Sequence, residues 1–347
     1  MRLFLLQILK LIYLRGHMKP LNPKFKLLAV VCLVFSLQAC SPPKPGVYKD
    51  DQISSGQRSD LHDLNKSALN YIKANSLKEL QLMMSKEMLG NSGNEHLVEL
   101  MSNRLTDNPY DIVEEYYVVG KHKAKDSLAA SGTDVNRHVL KLDTSANETY
   151  YVFLAPKKSD NKYMISLVFA KLSYGWKITQ MDLAEYTING KTAPELAQLA
   201  RQEYDKKYLV NAVNNMSLAV KCSNPSVLWA YPDLNANGEF YSKVLDEANK
   251  KYRYPMTLEQ LPTRPMVLSI SMQRNDTWTA PEIWYMTHIS IKDTNEVKKE
   301  NLQIRKLLSK MLPGIDKDNK YVLYDAFNEF PTASKSVDRF EMTASQP

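Results

Sequence analysis

Between Tyr163 and Leu172 eight of ten residues are apolar, with no alternation of apolar and polar positions. A strand of that kind is buried on both faces, because a half-solvated strand shows a period of two. The sheet that contains it must be covered twice, once from each side. Upstream, three helical patterns supply one cover. Asp60 precedes Leu61, Leu64, Ala68 and Ile72 on one helical face; Ser76-Leu77-Lys78-Glu79 forms a capping box ahead of Leu80, Met84 and Met88; and Leu97, Met101 and Leu105 follow the break at Gly90 to Asn94. Downstream, Thr192-Ala193-Pro194-Glu195 is a second capping box, and apolar residues recur at helical spacing from Leu196 to Val220. One continuous helix over that stretch would be on the order of 40 Å long.

Strand-like runs at about 110–121, 137–143, 148–156, 162–172 and 176–187 follow the first helices, separated by Asp, Asn, Ser, Lys and Gly clusters. The order predicts an α+β fold, with helices packed in a curved antiparallel sheet, then the long helix and a second, smaller α+β domain. That second domain reads strand, strand, helix and strand over Met266 to Gln273, Ile283 to Lys292, Thr294 to Met311 and Lys320 to Ala326. The expected boundaries are a leader at 1–39, a tether at 40–58, a first domain at 59–190, the long helix with its α+β domain at 191–330, and a flexible tail at 331–347.

The formal charge of +7 comes from the leader. Residues 1–39 hold Arg2, Lys10, Arg15, Lys19, Lys24 and Lys26 and no acidic residue; taking these six from the 45 basic side chains leaves 39 against 38 acidic ones. A near-neutral body has no bulk electrostatic reason to seek phosphate, so no nucleic-acid partner is expected. From Met18, a positive segment precedes the apolar run Leu27 to Leu37, which is of signal-peptide length and short for a membrane span. It ends in Leu37-Gln38-Ala39-Cys40. This resembles the lipobox of bacterial lipoproteins, with Gln38 a less usual occupant of its position. The resemblance implies a diacylglyceryl group on the Cys40 thiol and membrane attachment through the lipid; separately, the apolar stretch Met1 to His17, carrying Lys10 and Arg15 ahead of a complete signal, points to a translation start at Met18, with an unusually long n-region as the alternative. An ordinary cleaved signal and an uncleaved anchor helix are the alternatives to lipidation. Ser41 with no acidic run after it suggests, by resemblance to lipoprotein sorting, a cell-envelope position on the periplasmic face of an outer membrane. Ser41-Pro42-Pro43-Lys44-Pro45 reads as an extended tether.

The penultimate strand turns through Tyr174-Gly175 into Trp176-Lys177-Ile178. With three helices before the strands, residues 59–190 resemble the nuclear-transport-factor-two-like, cystatin-like superfamily. That resemblance implies a cone-shaped sheet around helices, and a family of isomerases, dehydratases and cyclases alongside domains that only bind or scaffold. Its enzymes place a carboxylate or His in an apolar cone, where burial raises a carboxyl toward the range of a general base. Asp111, Glu114, Glu115, His138 and Asp182 lie on predicted strands and are the cavity candidates, none of them in a motif of one enzyme branch.

Asp233, Asn235 and Asn237, followed by Gly238, open like a calcium loop, with oxygens at alternate positions and a Gly for the turn. Val244 stands where the closing bidentate Glu belongs, so the competing reading is an Asx-rich turn ahead of a helix from Glu239 to Tyr252. Cys222 has no CxxC or neighbouring His and reads as a structural thiol. No phosphate-cradling glycine loop, zinc spacing or nucleophile motif is present, and no cofactor is expected. Two function classes remain: a non-catalytic lipoprotein that binds a protein or small molecule, and a small-molecule isomerase, dehydratase or hydrolase working in the cone.

Overall fold

The computed structural model describes residues 44–120, 128–132, 134–142, 146–275, 278–317, 319–332 and 337–345. Cys40 and the leader lie outside the described residues. Among them the fold is α+β, with eight α-helices and three sheets. The first sheet is antiparallel throughout, in the order β1 (Gly46–Lys49), β2 (Tyr110–Val119), β5 (Glu148–Pro156), β6 (Lys162–Leu172) and β7 (Gly175–Thr187).

Strand β6 is covered on both faces, as its composition requires. Ile165, Leu167 and Phe169 pack toward Leu61, Ile72, Leu80 and Met101 from α1 (Ser55–Lys73), α2 (Leu77–Met83) and α4 (Asn94–Asp107), with α3 (Lys86–Leu89) closing one end. Met164 and Val168 point the other way, toward Leu196, Ala200, Met216 and Ala219. Burying an aliphatic or aromatic side chain of this size contributes about 1.5–3 kcal/mol, so each face is a major source of stability.

The second cover is not one long helix. Helix α5 (Ala193–Asp205) and helix α6 (Leu209–Lys221) fold back on each other across Lys206, Lys207 and Tyr208. Each is about 20 Å long. Lys207 turns the chain with φ +67°, the left-handed conformation that ends many helices. The Tyr208 ring then seats on Gly314, where a Cβ would come within 2.4 Å of it. Tyr204, Tyr208, Leu209 and Ala212 keep helical spacing through the turn, so periodicity could not show the break.

Two other expectations are corrected. The tether ends early: Gly46 to Lys49 pair with Val119 to Tyr116 as an edge strand, and α1 begins at Ser55. The tail is not frayed along its length, because β13 (Arg339–Ser345) pairs with β12 (Tyr321–Phe327). Phe340, Met342 and Ala344 alternate with polar residues and face the core, a period of two hidden in a polar stretch.

The C-terminal sheet runs β13, β12, β11 (Thr279–Met286), β10 (Met266–Arg274), β9 (Met256–Thr257). Only β11 and β12 are parallel, joined over α8 (Thr294–Met311), whose Val297, Ile304 and Leu308 fill the core beneath. The expected strand over Ile283 to Lys292 starts earlier and stops at Met286; the following loop runs to Asp293, which caps α8 by accepting from Glu296 N. A small third sheet joins β3 (Leu128–Ser131), β4 (His138–Lys141) and β8 (Trp229–Ala230). Helix α6 belongs to two cores: Leu209, Val210 and Ala212 enter the C-terminal one, and Met216, Leu218 and Ala219 enter the one against the first sheet.

Candidate functional site

Glu114 and Glu115 are neighbours on β2, so their side chains leave opposite faces of the sheet. Each meets its own polar set. On Glu114, His138 Nε2 lies 3.1 Å from Oε2, Tyr116 OH donates at 2.8 Å to the same oxygen, and Ser131 Oγ and Lys49 Nζ donate to Oε1 at 2.7 and 3.0 Å. Lys49 also touches Ser131. Burial alone would raise this carboxyl, but the donors outweigh it and hold it at about 2, led by His138, Ser131 and Lys49.

His138 is 2% exposed, with Nδ1 at 3.0 Å from Asn136 O and its ring stacked 3.5 Å from Trp229. A Ser, a His and a Glu are thus together, but in the wrong order for nucleophilic catalysis. The carboxylate sits at the centre and Ser131 donates to it, whereas an activated Ser must give its proton to the His.

Glu115 is fully buried against α1. His62 Nε2 lies 2.8 and 3.0 Å from its two oxygens, Tyr150 OH donates at 2.6 Å, and Arg58 Nε donates at 2.5 Å. Burial and this carboxylate push the Tyr150 phenol up. The other candidates stand apart. Asp111 is exposed and pairs with Lys157 at 3.0 Å, while Asp182 accepts from Val227 N at 3.0 Å and fixes a loop.

The segment weighed as a calcium loop or an Asx-rich turn is helical from Leu234, earlier than the expected helix start at Glu239. Asp233 is the residue before α7 (Leu234–Lys251), Asn235 and Asn237 lie inside its first turns, and Asn237 Oδ1 accepts from the Arg201 guanidinium at 3.1 Å. A chain already helical cannot wrap a cation, and a guanidinium is a poor neighbour for one. Among the described residues no cluster of His, Cys, Asp and Glu could hold a metal ion. Cys222 is buried and free, and burial pushes its thiol up to about 12, away from reactivity.

Away from these acids, a cleft of about 270 Å³ lies between the helical hairpin, the end of the first sheet and the C-terminal sheet. Five of its lining residues are Asn: 189, 211, 214, 215 and 319. Asn211 is 4% exposed; its Nδ2 donates to Gly314 O at 2.7 Å and Lys317 O at 3.3 Å, which leaves Oδ1 without a partner. Asn214, 8% exposed, leaves Nδ2 without one. Both orphan atoms are closed off from solvent, as are others elsewhere in the fold, both Glu300 carboxylate oxygens among them. Three Asn in five residues, on a helix whose other residues are Leu, Val, Ala and Met with Ser217 and Lys221, act against helix propensity, and for Asn211 the compensation is its hold on the Gly314 and Lys317 carbonyls.

No family model, no curated protein and no solved structure matches the chain. Among the described residues no helix is long and apolar enough to cross a membrane.

Proposed function

We propose that the protein is a lipid-anchored binding or scaffolding protein of the cell envelope, held by an acylated Cys40 on the periplasmic face of an outer membrane, and that it is not an enzyme. The observation that carries the non-catalytic reading is the saturation of the two buried acids of the first sheet, Glu114 and Glu115. Glu114 and Glu115 each meet three or more partners within the chain, which fix their orientation and leave neither of them in position to take a substrate proton. Arg58, His62 and Tyr150 close over Glu115 from the helix side, where a cone enzyme would admit its substrate.

In the same reading, residues 59–190 form a nuclear-transport-factor-two-like domain whose sheet curves as a cone. Helices ahead of an antiparallel sheet support it, as does the hairpin at Gly175, which takes φ +107° where a side chain would be strained.

The anchor is tested by Cys40→Ser in cells fed a labelled fatty acid. The unaltered chain takes up label and sediments with membranes; the variant loses the label and either becomes soluble or stays unprocessed. Unchanged mass and unchanged membrane attachment in the variant remove the lipoprotein reading.

A further inference from the structure

We propose that the end of the first sheet where β6 turns into β7 is a docking surface for a phospholipid bilayer, a second contact beside the acylated Cys40; its orientation rests on the anchor reading. The register places the surface. Gly46 pairs with Val119 and Val119 with Glu148, Glu148 Oε1 accepts from Lys171 Nζ at 2.7 Å, and Lys171 pairs with Trp176. These residues form one row across the five strands, about 19 Å wide at the usual strand spacing. The chain therefore enters the body at the same end of the sheet that carries the turn between β6 and β7. Gly46 is six residues after Cys40, with three prolines between them. Such a tether reaches about 20 Å at full extension, so a body held on it keeps this end toward the membrane.

The side chains gathered there suit the headgroup layer. Leu82 is 75% exposed, and Leu89 and Tyr174 are each 46% exposed. They are neighbours, because Lys177 Nζ donates to Leu82 O at 2.6 Å and lies 5.8 Å from the centre of the Tyr174 ring, while Lys86, on the same short helix as Leu89, lies 5.6 Å from that ring. Apolar residues exposed singly are ordinary on a protein surface. Two leucines and a tyrosine set among lysine stems instead share the composition of a membrane interface, where rings and chains sink and ammonium groups stay in water. Glu148 offsets Lys171 and Glu87 stands beside Lys86, so attraction to lipid comes more from the apolar side chains than from charge. With the body already concentrated at the surface by its anchor, a weak contact is enough to fix its orientation.

The test uses the mature chain with Cys40→Ser, which carries no lipid, floated with vesicles of phosphatidylethanolamine and phosphatidylglycerol in equal parts. Saturable binding, half-complete between about 0.1 and 2 mM lipid, is expected from a few exposed apolar side chains. Leu82→Ser combined with Leu89→Ser should weaken it about fivefold or more. The melting temperature should stay within error, since neither side chain is part of the core. Leu302→Ser, at a leucine of α8 that is 60% exposed, should bind as the parent does. No binding at about 5 mM lipid, meaning that the face serves a protein partner or none, overturns the inference. So does equal binding by the double variant, or an equal loss with Leu302→Ser. The anchor is judged separately, by label uptake at Cys40. A chain that takes up label while its unlipidated form ignores vesicles loses the docking surface alone; one that takes up no label yet binds vesicles through Leu82 and Leu89 loses the anchor alone.

Discussion

Glu114 gathers donors from four elements of the fold, and its ionisation is tied to folding. Its carboxyl drops from 4.5 to about 2 in the native state, so the native state holds the charge while the unfolded chain still binds a proton. The stabilisation is fully present above about pH 4.5 and is lost as pH falls toward 2; it corresponds to about 3 kcal/mol. Glu114→Gln should cost about 2–4 kcal/mol at pH 7, because it leaves charged and neutral donors buried without an anion. Urea titrations at pH 7 and pH 3 check both points: the gap between variant and parent should narrow in acid, and an equal gap would show that ionisation is not the cause. Asp325 has the opposite sign. Burial lifts it from 3.8 to about 6, against the pull of Arg339 at 3.4 Å. Its cost to stability grows as pH rises from about 4 to 6, so Asp325→Asn should gain about 1 kcal/mol at pH 7 and nothing at pH 3.5. At this scale the sequence made residue types legible and their partners illegible. Glu114, Glu115 and His138 could be placed on strands, but that Lys49 from the supposed tether would reach Glu114 depends on an edge strand that four residues cannot announce.

Among the elements, terminal signals were readable at α5 and α8, whereas the Ser76 box makes no side-chain cap and the helix behind it stops at Met83, leaving Met88 to a separate short helix capped by Ser85. The Thr192 and Glu195 capping box forms, with Thr192 N donating to Glu195 Oε2 at 2.8 Å, and α8 spans Thr294 to Met311 as its periodicity indicates. The turn between α5 and α6 has no Gly or Pro to reveal it. Its geometry rests on Lys207 in a left-handed conformation and on the Tyr208 ring against Gly314. Lys207→Gly should therefore stabilise by about 0.5–1 kcal/mol, as relief of left-handed strain exceeds the added chain entropy. Gly314→Ala should destabilise by more than about 2 kcal/mol, since φ is +92° and the new methyl would overlap the Tyr208 ring. Thermal unfolding of the pair decides it; a harmless Gly314→Ala would mean that the contact is loose.

For the whole molecule, the double burial of β6 was the most informative expectation, and the two-sided cover follows it. Helix α6 binds that cover to the C-terminal core by dividing its own apolar residues between them. Ending the chain after Gly190 would strip Met164, Val168, Tyr151 and Phe153 of their cover and expose a contiguous apolar strip. Residues 46–190 made alone should aggregate, and the full body should unfold in a single transition by circular dichroism and by Trp fluorescence. A soluble, monomeric, cooperatively folded fragment would show that the first sheet is sufficient to itself.

The placement of β1 has a mechanical side. Under the proposed anchorage at Cys40, six residues ahead of Gly46, drag on the body would enter through that strand. Because β1 runs antiparallel to β2 at the sheet margin, a pull from its leading end opens the ladder one rung at a time, from Gly46 and Val119 toward Lys49 and Tyr116. The unzipping then reaches the Lys49 ammonium, fastened to Glu114 and Ser131. Resistance to tearing is thus a matter of rupture rate at one latch, and the hydrophobic interior stays out of the line of load until that latch has given way.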